Sequence, residues 1–501
     1  RLKAFQCTTF SEAMVYRILL AFEGSRGDIQ PYMVAAQTLS KAGYDVRAAG
    51  PKHGITLAEE FQVPFTVYRP SLLPLATDPE VTEAVAENNV LNLIKVCDRA
   101  DKRINPPELK AKEIEALYSL VVDWKPDLLL VGILVLPLAL MISKIVPVPV
   151  VGFTLQNARP SKTLKPPGFP HIPSCLNVPF WRLATRAGCN LNFKDLSPIL
   201  EKLSGTPASQ LWISTSEYSQ YHHAKCTFLS IIATSAAVCG ELPSECNSKN
   251  VQIGALMPSS EQTGAPFGGE QLQQMKDFLA CGSPPVYIGF GSIICGTSKF
   301  MCLLSLRALR LTGERGILVS NWSSMSEQDI EGESDCDELK AYCAKNVLFL
   351  KTAPHGQLFP QCKVIVHHGG AGTFNASARS GIPTVICPIF LDQLDHASRL
   401  NHCGFGVGLE QMSTLSPQDL ADAILQCINS PSIKEKAKEV ANSLKQEDAP
   451  GRLVEIINEY MEKYIATGHH MELKRKLDRS QAGGCFSCLA YYFQPAKPHQ
   501  G

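Results

Sequence analysis

The sequence predicts an α/β protein of two domains, each a parallel sheet covered by helices. Three observations carry that prediction. Strand-like and helix-like patterns alternate along the chain, and they do so twice over. Each half opens with an apolar, β-rich run that leads into glycine-bearing sequence: residues 15–22 before Gly24 and Gly27, and residues 286–292 with Gly289 and Gly291. Between the halves, from about residue 240 to 269, composition shifts to Pro, Ser, Gly, Asn and Glu around one short apolar piece, Val251-Gln252-Ile253-Gly254. The first domain is therefore placed at 1–245 and the second at 246–467. The last helix of the second is expected to pack back on the first, and 468–501 reads as a mobile tail.

In the first half, the run 15–22 reads as a strand and Glu23-Gly24-Ser25-Arg26-Gly27-Asp28-Ile29-Gln30 as a loop. Pro31 suits a first helical position, where its missing N–H costs nothing. Tyr32, Ala35, Ala36 and Leu39 then repeat at helical spacing, Gly43 ends the helix, and 45–49 is the next strand. The loop lies at the carboxyl end of its strand, where open α/β sheets bind ligands. Residues 127–153 and 211–216 read as further strand-bearing stretches. In the second half strands are expected at 316–320, 347–350, 364–366 and 384–387, with helices between. Ser416-Pro417-Gln418-Asp419 has capping-box spacing and opens a helix toward Cys427.

Composition narrows the possible functions. The 501 residues carry 47 Lys+Arg against 47 Asp+Glu, which removes the bulk charge expected of a nucleic-acid or anionic-membrane binder. Hydrophobic residues make up 45% and charged residues 19%, so much of the chain must be interior. The longest charge-free apolar run, 128–143, is interrupted by Pro137 and falls short of a membrane span of about 20 residues. It reads as a buried strand running into a helix. The 18 cysteines follow no disulfide or metal-ligand spacing, and Cys362, Cys387 and Cys427 sit in apolar runs. A reducing, cytoplasmic compartment is the expectation. The sequons at Asn321 and Asn375 are then coincidental, and the second is expected to be buried.

The sharpest chemical signal is Val364-Ile365-Val366-His367-His368-Gly369-Gly370-Ala371-Gly372-Thr373. A strand ends at paired histidines, glycines let backbone approach a guest, and a following helix aims unpaired N–H groups at it. A phosphate or diphosphate fits such a place. The pattern is neither a Walker loop nor G-x-G-x-x-G, which argues against a nicotinamide dehydrogenase. Downstream, a buried strand ends at Pro388 and a loop presents Asp392 beside Gln393. That pair can grip vicinal hydroxyls of a sugar.

Thr352-Ala353-Pro354-His355, His367 through Thr373 and Phe390 through Gln393 resemble the donor signature of UDP-sugar-dependent glycosyltransferases of the GT-B fold. Gly24 through Pro31, Tyr287 through Ser292 and Ser320-Asn321-Trp322 also resemble that group. The sterol 3-beta-glucosyltransferases and bacterial antibiotic glycosyltransferases are the most similar branches, over roughly residues 15 to 465. The resemblance implies two Rossmann-like domains facing across a cleft. It implies that His367 and the backbone from Gly369 and Gly370 through Gly372 and Thr373 hold the diphosphate. Ser292 and Gly27 would lie beside the phosphates, Trp322 and His355 would flank the uracil, and Asp392 and Gln393 would bind glucose hydroxyls. No metal and no cofactor beyond the UDP-glucose donor is implied. Asp335-Cys336-Asp337 mimics a metal-binding Asp-x-Asp motif but sits in an acidic run that reads as a solvated loop.

Asp28 occupies the position of the general base in the sterol and antibiotic branches, so the resemblance makes it the catalytic residue. Capping of the following helix is its other reading. Attack opposite the diphosphate implies inversion, with a β-glucoside as product. Apolar candidates for the acceptor pocket are Leu72, Leu73, Ile94, Ile133, Leu134, Phe153 and Leu155, suited to a flat lipophilic alcohol such as a sterol. The sequence departs from the sterol enzymes after the strand near 131, and the stretch 219–245 is longer than usual. A glycosyltransferase for another small molecule, or a sugar-nucleotide-binding protein without turnover, are the competing readings. His222-His223 and His469-His470 read as surface residues. Cys485-Phe486-Ser487-Cys488 offers at most a weak zinc half-site, or an acylation site giving peripheral membrane contact.

Overall fold

A computed structural model describes residues 15–87, 89–166, 173–258 and 271–482. Among these residues thirteen strands form two all-parallel sheets. The first takes β1 (Arg17–Ala21), β2 (Asp45–Pro51), β3 (Phe65–Arg69), β4 (Leu128–Val131), β5 (Val150–Thr154), β6 (Ser230–Ile232) and β7 (Asn250–Gln252), in the order β3-β2-β1-β4-β5-β6-β7. The second takes β8 (Val286–Gly289), β9 (Gly316–Val319), β10 (Val347–Leu350), β11 (Val364–His367), β12 (Thr384–Ile386) and β13 (Gly406–Gly408), in the order β10-β9-β8-β11-β12-β13.

The two-residue repeat of a strand explains why these runs are apolar throughout. Along β1, Ile18 and Leu20 enter the core on one face, and Leu19 and Ala21 enter the core on the other. In β8, Val286 and Ile288 face one core and Tyr287 the opposite one. The run 128–143 divides as expected into β4 and the helix Leu136–Ile145, buried nearly throughout. The helix Pro417–Asn429 opens on the Ser416–Asp419 capping box. Asn375 and Ser377 are buried, as a coincidental sequon requires.

Several expectations are corrected. The first helix runs Arg26–Lys41, five residues earlier than placed, so Pro31 lies inside it. Ser25 and Asp28 stabilise that early start from the polar side. Residues 211–216 form no strand; a 3-10 turn Ala208–Leu211 and a short helix Thr215–Ser219 stand there. The apolar piece near 251 is β7, hydrogen-bonded to β6, so the first sheet continues past residue 245. Part of the supposed tail is a helix, His469–Ala482, whose Lys474 Nζ donates to Ser143 O at 2.8 Å. His470 is not a surface residue: it is buried, hydrogen-bonded to the Tyr460 hydroxyl and stacked on Phe228. Cys485 and Cys488 lie outside the described residues.

The lobes exchange helices. Leu453, Ile456, Ile457 and Tyr460 of the helix Ala449–Tyr460 share the core of β1. In return Val81 and Val85 of the helix Pro79–Ala86, with Leu93 and Val96 of Val90–Ile104, share the core of β8 and β11. No helix among the described residues is long and apolar enough to cross a membrane. Because Leu453 is wholly buried in a helix from one lobe packed on the other, Leu453→Ala is expected to cost about 2–5 kcal/mol in denaturant unfolding.

Candidate active site

The carboxyl ends of both sheets open onto one cleft of about 1810 Å³. Two helix N-termini from opposite lobes line it, Arg26–Lys41 and Ala371–Ser380. The N–H groups of Ala371, Gly372 and Thr373 fall in a first helical turn and have no intrahelical acceptor. They line the cleft with Gly370 and Ser292, so they form a ready anion site.

Asp28 Oδ2 accepts from Ser25 N–H at 2.8 Å and Ser25 Oγ at 3.0 Å. Asp28 is thus the third residue of the helix, completing a capping box with Ser25 rather than preceding the helix as its cap, and it lines the cleft. Burial raises its pKa above the ordinary 3.8, the Ser25 bonds pull it back, and the nearby Asp392 adds to the rise. Gly24 makes this placement possible, since a Cβ there would sit 2.4 Å from that of Asp28, at φ +128°. His53 Nε2 donates to Gly24 O at 2.9 Å, and its ring meets Trp322 of the other lobe edge-on at 5.6 Å. Sequence reasoning missed His53, which sits in a run with no motif around it.

The phosphate loop is more divided than its motif suggests. His367 does not line the cleft; it is fully buried. Its Nδ1 accepts from Gly369 N–H at 2.9 Å. The proton therefore sits on Nε2, which donates to Ser377 Oγ at 3.2 Å, and Ser377 donates in turn to Phe374 O. Gly369, at φ +90°, likewise lies off the cleft, and its carbonyl accepts from His396 Nδ1 at 2.6 Å. Two imidazoles thus hold both polar groups of one glycine, and the loop's shape follows. His396 was missed because its four-residue spacing from Asp392 has meaning only on a helix.

His368 is the histidine that reaches the cleft. Its ring is wedged between Gly291 and Gly370, where added Cβ atoms would lie 2.7 Å from Cε1 and 2.4 Å from Nε2. Burial pushes its pKa down to about 4 and that of His367 well below the usual range. Both are neutral at pH 7, so they supply hydrogen bonds and shape.

Asp392 and Gln393 are in a helix, Asp392–Cys403, not a loop. Leu391 precedes it at φ +53° and ψ −128°, a conformation that strains a side chain with a Cβ. Asp392 Oδ2 accepts from Gln156 Nε2 of the first lobe at 2.6 Å. Gln393 Oε1 is taken by Ile389 N–H and Phe390 N–H, which leaves its NH₂ for a guest. His355 lines the cleft hydrogen-bonded to the Tyr287 hydroxyl at 3.0 Å and stacked on Phe359; Trp322 lines it too.

On the apolar side Leu72, Ile133, Leu134 and Leu155 line the cleft, as do Val81, Val85 and Leu93 from the exchanged helices. Leu73 and Ile94 do not. Phe153 is a correction: it is fully buried in the first lobe's core, beside the Tyr32 ring, and only its carbonyl is used, by the Tyr32 hydroxyl at 2.8 Å. A strand residue facing a sheet's interior looks the same in sequence as one facing a pocket. Asp335 belongs to an ion-pair network with Arg307 and Arg310, not to an open loop. Replacing His367 by Ala strands the Gly369 amide, with an expected loss of about 1–3 kcal/mol in urea unfolding. Gly370→Ala collides with His368; calorimetry is expected to show nucleoside-diphosphate binding weakened about tenfold or more, and stability lowered by about 1–3 kcal/mol through overpacking.

Residues 332–460 match the family described as Erythromycin biosynthesis protein CIII-like, C-terminal domain. A sterol 3-beta-glucosyltransferase of Arabidopsis thaliana is 33% identical over 196 residues, covering 38% of this chain and 30% of that one. The chain therefore matches under a third of that relative's length. An uncharacterized glycosyltransferase of Mycobacterium leprae is 25% identical over 86% of this chain and 94% of its own. Among solved structures, the glycotransferase of kitacinnamycin superposes with a TM-score of 0.62 at 16% identity, over 89% of this chain and 99% of that one. Streptomyces sp. SF2575 SsfS6, complexed with thymidine diphosphate, gives 0.52 at 19% identity over 89% and 99%. At such identities the structural likeness is one of fold. Sheet orders and cleft agree with these structures, and the chain has the two-lobed GT-B fold seen in such glycosyltransferases.

Proposed function

We propose that the protein transfers glucose from UDP-glucose, with inversion and without a metal, to the hydroxyl of a lipophilic alcohol of the sterol kind. One observation carries the reading: a half-buried carboxylate on the first lobe and an unpaired helix N-terminus on the second line the same cleft. The likeness to sterol 3-beta-glucosyltransferases supports the acceptor class and the sugar.

In this reading the diphosphate lies on the amides of Ala371 to Thr373, with the His368 ring beneath. Asp392 and the Gln393 NH₂ hold sugar hydroxyls, and Gln156 keeps Asp392 oriented until the sugar arrives. The acceptor lies along Leu72, Ile133, Leu134 and Leu155 with its hydroxyl at Asp28. The acceptor oxygen attacks the anomeric carbon from the face opposite the diphosphate. Its proton passes to the Asp28 carboxylate as the bond to the diphosphate oxygen breaks. UDP leaves with its new negative charge on the helix N-terminus, where preorganised N–H groups need no rearrangement. Raised basicity suits Asp28 to the proton it must take.

Purified protein incubated with UDP-glucose and a sterol panel tests this directly. Asp28→Asn is expected to cut turnover about 10²–10⁴-fold while UDP-glucose still binds. Near-normal turnover by that variant would reject the assignment. The base works deprotonated, so acidification removes activity through its pKa. The acid limb of kcat/KM is therefore expected above pH 3.8, the ordinary value. A raised folded-state pKa also means that ionised Asp28 costs stability as pH rises through it. Asp28→Asn is accordingly expected to keep or raise Tm at pH 7.

A further inference from the structure

Arg159 is fully buried, and all of its N–H groups are used. Nε donates to Asn250 Oδ1 at 3.0 Å, and Nη1 donates to Ala158 O at 3.0 Å and His222 Nδ1 at 3.2 Å. Nη2 donates to Thr154 Oγ1 at 3.1 Å and Ser230 Oγ at 3.2 Å. Every one of these acceptors is neutral. The groups that act electrostatically on Arg159 are Cys226, Cys246 and Tyr218, none of them a carboxylate. Buried guanidinium groups are ordinarily paired with an anion. Burial lowers its pKa only to about 10, so the charge persists at pH 7.

His222 completes the arrangement. It is 4% exposed and lines the cleft together with Arg159 and Trp181. A guanidinium can only donate, so His222 Nδ1 is an acceptor and the ring's proton is fixed on Nε2. That Nε2–H has no partner among the described residues. The cleft wall therefore holds a buried, oriented donor with a positive charge directly behind it. Arg159 ties β5 to β6 and β7, which lie two to four strands along the sheet from β1. At the usual strand spacing that is roughly 10–20 Å from the Asp28 end. His222 reads from sequence as a surface residue, and the structure corrects that: it is buried.

We propose that Arg159 and His222 form an anion subsite for the acceptor, so that the preferred acceptor is a lipophilic alcohol carrying a carboxylate remote from its reacting hydroxyl. The subsite rests on the reading of the cleft as an acceptor site. His222 Nε2–H donates to one carboxylate oxygen, and Arg159 supplies charge and fixes the imidazole tautomer without touching the ligand. His222 sets specificity, and Arg159 is a positioning residue.

Equilibrium dialysis of the full chain, without donor, tests it with three tritiated 3β-hydroxysteroids that differ only in the side chain: carboxylate, ketone or alcohol. The carboxylate is expected to bind about tenfold or more tighter than either neutral probe. His222→Leu is expected to abolish that preference and leave the alcohol's Kd unchanged. His222→Gln, which can accept from Arg159 and still donate, is expected to retain part of it. Equal binding of the three probes, no binding by any, or a preference surviving His222→Leu would overturn the subsite. A ketone matching the carboxylate would overturn its anionic character. If a substituted protein fails to fold, the wild-type ranking alone decides. Carboxylate preference without glucose transfer to any probe would instead sink the transferase reading and leave the subsite standing.

Discussion

A Cβ placed on Gly372 would lie 3.0 Å from the carbonyl oxygen and 3.2 Å from the Cα of Gly27, on the opposite lobe. At this point the two lobes approach backbone to backbone, and the rest of the cleft is measured from it. Pro31 has no N–H to offer the Gly27 carbonyl, which faces Gly372 instead of closing a helical turn. Bringing both helix starts this close places a carboxylate from one lobe near the anion-binding amides of the other. The helix exchange holds the approach: apolar side chains of each lobe lie in the other's core, so separating the lobes would expose both.

The polar interior around this contact is organised by fixed tautomers. His367 and His396 hold the two polar groups of Gly369, and His222 is held by Arg159 in the same manner. For His367 and His222 a partner that can play only one hydrogen-bonding role decides where the imidazole's proton sits. His367 and His222, whose pKa values burial lowers, act as rigid, neutral struts. The pKa of His396 is instead raised to about 9 against burial by Cys239 and Asp392, so this ring carries a positive charge beside Asp392. Negative charge is placed where it costs stability, at Asp28 and Asp392, both of which burial pushes toward protonation. Strain at Leu391 is of the same kind. Local rules are broken around the cleft, as expected of a functional site.

The repeated strand–helix pattern was legible because parallel strands buried on both faces must be apolar throughout, as at 128–131 and 364–366. Residues 211–216 misled for the same reason in reverse: Leu211 and Ile213 are apolar because they pack under a helix, not because they lie in a sheet. Short strands such as β7 left too few residues to show a period. In the site, glycines and the following helix pointed to the phosphate loop, and Gly24 and Gly27 marked the segment after β1 that carries Asp28.

Composition and local spacing by themselves determined two parallel-sheet lobes, a glycine-bearing segment after β1 that carries Asp28, and a helix start at Gly370 able to bind an anion. These are properties of backbone conformation within a few residues, which side-chain size and periodicity dictate directly. Tertiary structure decided which histidine meets the cleft, that Phe153 is core, and that Arg159 stands beside His222 although 63 residues separate them in sequence. Such facts depend on which way a side chain faces and on partners distant along the chain. Neither is encoded in the spacing of residue types along one strand or helix.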